Sequence, residues 1–110
     1  MKNWRKRVAA ILHRGQLRAV GDRVNLTLNT PADVSPLGND RGSGLRITRI
    51  NNLPVVDGGS TVDVGSLTVE LNDGVLTLTP DNGFTGSYAF TYVVTDGQQS
   101  RVAVIQGSVV

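Results

Sequence analysis

Side chains able to perform acid-base or nucleophilic chemistry are few in this sequence and do not form a catalytic pattern. The 110 residues contain one histidine, His13, and no cysteine, so the usual pairing of a nucleophile with a nearby base is missing. Asp73 and Asp81 could form a carboxylate pair, but each lies in a turn motif, where an aspartate side chain bonds neighbouring backbone. We therefore predict that the protein is not an enzyme.

Two glycine-rich segments invite comparison with phosphate-binding loops. Gly42-Ser43-Gly44 and Gly58-Gly59-Ser60 lack the lysine and the helix start that give such loops their chemistry. Both segments are predicted to be ordinary loops. The absence of cysteine also excludes disulfides and thiolate metal sites, so stability must come from apolar burial and backbone hydrogen bonds.

Charge divides the chain into two unequal parts. Residues 1–23 contain seven basic residues and one acidic residue, a formal charge of +6. Residues 24–110 contain four basic and eight acidic residues, a formal charge of −4. Such asymmetry indicates contact with an anionic surface, a nucleic acid or the acidic face of a neighbouring subunit. We predict a basic N-terminal arm over residues 1–23 and one folded domain over residues 24–110.

The arm has the spacing of a short amphipathic helix, because four of its apolar residues fall on one helical stripe. Its apolar run, 8–12, is shorter than the ~7 to 15 residues of a secretory signal, and no segment reaches the ~20 residues of a membrane span. A partner-docking arm is expected, with a flexible tail, or direct nucleic-acid or membrane binding, as the alternatives. The candidate docking residues are Trp4, Arg5, Lys6, Arg7, Val8, Ile11, Leu12, Arg14 and Arg18.

Beyond residue 23 the pattern changes to short β-strands separated by turns. Tyr88, Phe90, Tyr92 and Val94 recur at every second position, which places them on one face of a strand and predicts a core strand. Packing, rather than ligand stacking, is the expected role of these aromatic rings.

Turn signals divide the rest of the domain. Asp73-Gly74 is the clearest hairpin signal, since both positions of such a turn need positive φ. The apolar segment 102–110 is predicted to complete the domain's own sheet, with edge addition to a neighbour as the alternative. About seven to nine short strands are expected, the number typical of an all-β antiparallel sandwich.

Several spaced motifs resemble one known family. They are Gly38-Asn39-Asp40, Asn72-Asp73-Gly74, Gly83-Phe84-Thr85-Gly86 and the run from Phe90 to Gly97. In this order they resemble the bacterial immunoglobulin-like or cadherin-like repeats of large adhesins, over residues 24–110. The resemblance implies an immunoglobulin-like or cadherin-like sandwich and a non-catalytic role in adhesion, spacing or surface display.

The same resemblance implies a candidate calcium site. Some members of the family bind calcium through loop carboxylates, and Asn39, Asp40 and Asp96 stand at the matching positions. Calcium takes six to eight oxygen ligands, whereas Arg41 follows Asp40 directly. The alternative is that these residues bond nearby backbone and shape turns. We expect no cofactor, with calcium as the exception to test.

Three functions follow from these features. We expect a small structural protein of a phage virion, a capsid decoration or accessory subunit, because the chain begins at Met1, lacks an adequate export signal and carries a single module. It would dock through its arm on a capsid or other surface lattice, and self-association is a further expectation. The alternative is one repeat of a secreted adhesin at the cell surface. A nucleic-acid-binding protein is the most distant hypothesis.

Overall fold

The chain folds into two β-sheets packed face to face. The computed structural model describes residues 17–40, 42 and 44–110. These residues form nine strands and one short 3-10 helix, Pro36–Asn39. The strands are β1 Asp22–Arg23, β2 Ala32–Val34, β3 Arg46–Ile50, β4 Leu53–Pro54, β5 Ser60–Asp63, β6 Leu67–Asn72, β7 Val75–Pro80, β8 Gly86–Thr95 and β9 Ser100–Val109.

A four-stranded sheet has the order β2-β7-β6-β5 and is antiparallel throughout. Strands β6 and β7 meet at the predicted hairpin, where Asp73 and Gly74 have φ values of 54° and 75°. Both are positive, as a type I′ turn requires. The carboxylate of Asp57 accepts hydrogen bonds from the backbone N–H groups of Asp73, at 2.5 Å, and Gly74, at 2.9 Å.

A five-stranded sheet has the order β1-β9-β8-β3-β4. The long strands β8 and β9 pair along their whole length, from Gly86 opposite Val109 to Thr95 opposite Ser100. The predicted pairing of the C-terminal strand within its own domain is therefore observed. Strand β3 pairs with β8 through a register shift between Ile47 and Arg49, which brings both Arg46 and Arg49 to the outer face.

The core lies between the sheets and is formed by alternate residues of the strands. Tyr88, Phe90, Tyr92 and Val94 are all buried on the inner face of β8, as their spacing predicts. Phe84 is half-buried and packs against this core. Apolar residues of β6 and β7 face them from the other sheet and are fully enclosed; they are Leu67, Val69, Leu71, Leu76 and Leu78.

The folded domain begins earlier than the predicted boundary at residue 24. Leu17 is 2% exposed and belongs to the core. Asp22 and Arg23 form β1, which runs parallel to β9 in a sheet whose other pairs are antiparallel. Residues 17–23 are therefore part of the sandwich, and the prediction that placed them in the arm is wrong for this segment.

Val24, Leu26 and Leu28 alternate with polar residues, the period of a strand, but the structure pairs residues 24–28 less regularly than a full strand. Only Leu26 bridges β9, opposite Val109, and it is 2% exposed. Val24, Leu26 and Leu28 still donate backbone N–H groups to β9 carbonyls and to that of Val110, at 2.8 to 2.9 Å. The predicted all-β sandwich is confirmed, with this parallel edge as its departure from a purely antiparallel fold.

Candidate interaction sites

Most of the predicted docking residues lie outside the described part of the chain. Trp4, Arg5, Lys6, Arg7, Val8, Ile11, Leu12 and Arg14 belong to residues 1–16, so their helical spacing stays a prediction. Arg18 is described and exposed. It directly follows Leu17, which is buried in the core. The basic N-terminal sequence is thus joined to the sandwich at Leu17.

Tyr88 and Gly107 fix the segment after β1 against β9. The hydroxyl of Tyr88 donates a hydrogen bond to the carbonyl oxygen of Val24. Gly107 lies opposite Tyr88 in the sheet, and a Cβ at this position would stand 1.8 Å from the same carbonyl oxygen. The side chain of Asn25 accepts the N–H of Ser108 at 3.2 Å, which replaces a backbone acceptor in the ladder. Only glycine at position 107 permits the close approach of the Val24 carbonyl oxygen to β9.

The hydroxyl of Tyr92 forms a second set of hydrogen bonds that hold the same N-terminal segment. This hydroxyl lies 3.0 Å from Asp40 Oδ2, the geometry of a donated hydrogen bond, and 3.3 Å from the carbonyl oxygen of Val20. Asp40 Oδ1 also accepts the backbone N–H of Val20, at 2.8 Å. The carboxylate of Asp40 therefore bridges the core strand β8 and the residues that precede β1.

The environment of these hydroxyls keeps both tyrosines neutral. Burial raises the pKa of Tyr88 above its ordinary value. Burial also raises the pKa of Tyr92, and the hydrogen bond to Asp40 and the negative charges of Asp40 and Asp22 raise it further. A tyrosinate beside a carboxylate would be repelled. Both hydroxyls therefore stay protonated, and able to donate, to a higher pH than an exposed tyrosine hydroxyl would.

Asp96, the other predicted carboxylate, shapes the turn between β8 and β9. Its Oδ1 accepts the backbone N–H groups of Gln98 and Gln99, both at 2.8 Å. These two bonds lower the pKa of Asp96, and the charge of Arg101 acts in the same direction. This is the local bonding expected of an aspartate in a turn.

The predicted calcium ligands do not share partners. Asp40 is bonded to Val20 and Tyr92, whereas Asp96 is bonded within its own hairpin. Of Asn39 only the backbone is described, at the end of the 3-10 helix. Among the described residues, no group of three or more histidine, cysteine, aspartate or glutamate side chains could hold a metal ion. Asp96 thus has the turn-shaping role, whereas Asp40 joins β8 to the segment before β1. Calcium binding stays a prediction.

A shallow groove lies on the outer face of β1, β8 and β9. It has a volume of about 370 Å³, and its polar lining includes Arg23, Ser87, Gln106 and Ser108. Tyr88 and Gly107, from the same two strands, also line it. The groove is open. Its lining has one positive charge, that of Arg23, beside hydroxyl and amide groups, which suits contact with a polar surface.

The sequence analysis did not identify the residues that tie the N-terminal segment to the sandwich. Leu17 and Ala19 alternate with Arg18 and Val20 in burial, since the first pair contacts the core and the second is exposed. This period of two is a strand signal. The sequence shows it only in part, because the exposed Val20 is apolar, and the surrounding basic residues favoured the prediction of an arm.

Comparison with known proteins identifies the class of this sandwich. The family model described as the bacterial Ig domain matches residues 16–106, a range that includes the N-terminal segment from Leu17 onward. The chain belongs to the bacterial Ig domain family. No match was found among curated proteins. Domains of this family act as non-catalytic surface or interaction modules, and the part of the chain that the structure describes contains no helix long and apolar enough to cross a membrane.

Proposed function

We propose that this protein is a structural module that docks on an acidic protein surface through its basic N-terminal sequence and displays the sandwich from it. The observation that carries the proposal is the burial of Leu17 at 2% exposure. Five basic residues and no acidic residue precede Leu17. Arg14 stands three positions before Leu17, so a surface that binds Arg14 would lie close to the domain.

A rigid attachment suits a structural role better than a flexible tether would. Residues 20–28 are fixed by hydrogen bonds to β9, Asp40 and the two core tyrosines. A load on the basic sequence would reach the sandwich through this parallel edge. Within this proposal we favour a phage capsid as the acidic surface, in agreement with the expectation from the sequence.

Co-sedimentation with purified phage capsids tests this function. We expect the full chain to pellet with capsids at low salt and the Arg5→Glu, Lys6→Glu, Arg7→Glu triple variant to remain in solution. Trypsin should cleave the basic sequence of the free protein and spare it on capsids. Arg101→Glu, a single charge reversal in the described sandwich, is the control for position and should still pellet. Equal pelleting of wild type and triple variant would contradict the proposal.

A repeat of a cell-surface adhesin is the second candidate, favoured by the family to which the chain belongs. It predicts that calcium raises the melting temperature and that the protein binds cell envelopes instead of capsids. A nucleic-acid function predicts retention on duplex DNA at low salt, where the phosphate contribution is greatest. Running all three probes on the same variants separates the three functions.

A further inference from the structure

The outward-facing basic and acidic residues of the strands lie on different sheets. The outward positions of the five-stranded sheet carry arginines and those of the four-stranded sheet carry acids. We call these two surfaces the arginine face and the acidic face. The arginine face contains Arg23, Arg46 and Arg49, and the acidic face contains Asp33, Asp63 and Glu70. Asp22, the acid of β1, pairs with the buried Ile105 on the inward side.

The pairing register establishes which way these arginines point. Arg46 lies opposite Thr95 and Arg49 opposite Val93, positions that alternate with the buried Tyr92 and Val94 of β8. Both arginines are exposed. Nη1 of Arg49 donates to the carbonyl oxygen of Asn52 at 3.1 Å, which holds the guanidinium beside the β3–β4 turn.

The centre of the arginine face is apolar. Val102 of β9 lies directly opposite Val93 of β8, and Val104 opposite Thr91. Val102 is 63% exposed and Val104 is 39% exposed. Paired valines in the middle of a solvent-facing sheet, with cations on either side, are typical of a contact surface with an apolar centre and a polar rim.

The acidic face has a complementary row of side chains. Asp33, Thr77, Glu70 and Thr61 lie side by side across β2, β7, β6 and β5. The hydroxyl of Thr77 donates to Asp33 Oδ1 at 2.7 Å, which orients that carboxylate. Asp63, opposite Thr68, adds a third acid in the next row. No basic residue occupies an outward position on these four described strands.

We propose that the arginine face of one copy binds the acidic face of a second copy. The two surfaces are pleated sheets of similar width, each bearing three charges of one sign, and β-branched side chains lie between the charges. Duplex DNA is a poorer occupant, because its phosphates would meet the exposed Val102 and Val104 at the centre of the arginine face and would be repelled by the acidic face. Since each copy presents both faces, the contact is heterologous and can continue into a stack of domains.

The size of the contact predicts its strength. The four strands of the acidic face contain 3, 4, 6 and 6 residues. At the usual rise and strand spacing they cover about 300 Å² on each copy, less than half of the ~800 Å² that a standard stable interface buries per partner. Association is therefore weak: it should require protein concentrations of about 0.1–1 mM, and it should be salt-sensitive. It becomes effective where copies are already held side by side, because attachment raises their local concentration. This proposal concerns the sandwich and does not rest on the N-terminal docking function.

Sedimentation velocity of the full chain over a concentration series tests the proposal. We expect wild type to associate at about 50 mM salt and to dissociate at about 500 mM. Arg49→Glu alone and Glu70→Arg alone should each weaken association about tenfold, and an equimolar mixture of the two should restore it. Arg101→Glu and Asp81→Arg, alone and mixed, are charge-matched controls off the two faces and should leave association unchanged. Arg46→Glu replaces Arg49→Glu if the latter lowers the melting temperature.

Four outcomes would overturn the proposal. The first is a wild-type protein that stays monomeric throughout the series at low salt. The second is an Arg49→Glu variant that associates like Arg101→Glu. The third is association that is lost in the Arg5→Glu, Lys6→Glu, Arg7→Glu variant but kept in Arg49→Glu, which would make the basic N-terminal sequence the occupant of the acidic face. The fourth is duplex DNA binding that requires Arg49 without any self-association.

Discussion

The two sheets of the sandwich are assembled from different kinds of contact. In the four-stranded sheet, β5, β6 and β7 follow one another along the chain and are joined by tight turns. In the five-stranded sheet, β9 pairs on one side with its neighbour β8 and on the other with β1. Asn25 and Ser108, which meet at that edge, are 83 residues apart in sequence. Closing so long a loop costs more entropy than closing a hairpin.

This difference in sequence separation shows where side-chain contacts must add to the backbone hydrogen bonds between strands. The local hairpins are defined by turn residues, with Asp57 bonded to the N–H groups of the Asp73-Gly74 turn. The distant edge at β1 is instead held by buried apolar residues and by the hydroxyls of Tyr88 and Tyr92. We therefore expect substitutions at the distant edge to have the larger effects on stability.

The largest effect is expected at Leu17. Leu17→Ala removes a side chain that is 2% exposed and should lower the free energy of unfolding by about 3 to 4 kcal/mol. Leu53→Ala, at a position 51% exposed, is the matched control and should change it by less than about 1 kcal/mol. Urea denaturation measures both. Equal, small effects would show that the domain does not include Leu17.

A somewhat smaller effect is expected at Gly107. Gly107→Ala places a Cβ within 1.8 Å of the Val24 carbonyl oxygen, so the N-terminal segment must move away from β9. We expect a loss of about 2 to 3 kcal/mol. Gly38→Ala is the control, because a Cβ at Gly38 has nothing within 4 Å. If both variants unfold at the same urea concentration, the close approach at Gly107 is not a feature of the folded protein.

The hydroxyl of Tyr92 comes next in size. Tyr92→Phe keeps the buried ring but leaves Asp40 with one donor fewer, and a hydrogen bond to a charged acceptor contributes about 1.5 to 3 kcal/mol. We expect a loss near the lower end of that range by urea denaturation. A double-mutant cycle with Asp40→Asn should show coupling between the two positions. Strict additivity would argue against the hydrogen bond.

The smallest effect is the dependence of stability on alkaline pH. The pKa of both Tyr88 and Tyr92 is raised in the folded state. Above the ordinary tyrosine pKa of about 10, the unfolded state loses these protons first. The free energy of unfolding should therefore be flat up to about pH 10 and fall as pH rises beyond it. The Tyr92→Phe variant should show a shallower fall, whereas an unchanged slope would contradict the assignment.

Local sequence signals predicted the contacts that are close along the chain. Asp73-Gly74 indicates its turn through backbone conformation alone, and the alternation from Tyr88 to Val94 indicates a buried strand. Both depend on residues a few positions apart, which is the range over which turn chemistry and strand periodicity act. The same features also carried the family resemblance that the family comparison bears out.

Contacts that join distant parts of the chain were not predictable in this way. Nothing near Asp22 indicates that it pairs with Ile105 in parallel, and the glycine at Gly107 acquires its meaning only from the carbonyl of Val24. The opposite charges of the two sheets were equally hidden, because Arg49 and Glu70 are assigned to different faces only once the strand order is known. Strand order depends on packing of the whole domain.

The attachment of residues 22–28 to β9 joins the N-terminal segment to the sandwich, and hydrogen-deuterium exchange tests it most directly. The N–H groups of Val24, Leu26 and Leu28 donate to β9 carbonyls and to that of Val110. We predict that these three amides exchange as slowly as those in the middle of β9. Exchange at the rate of an unfolded chain, with β9 still protected, would contradict this attachment.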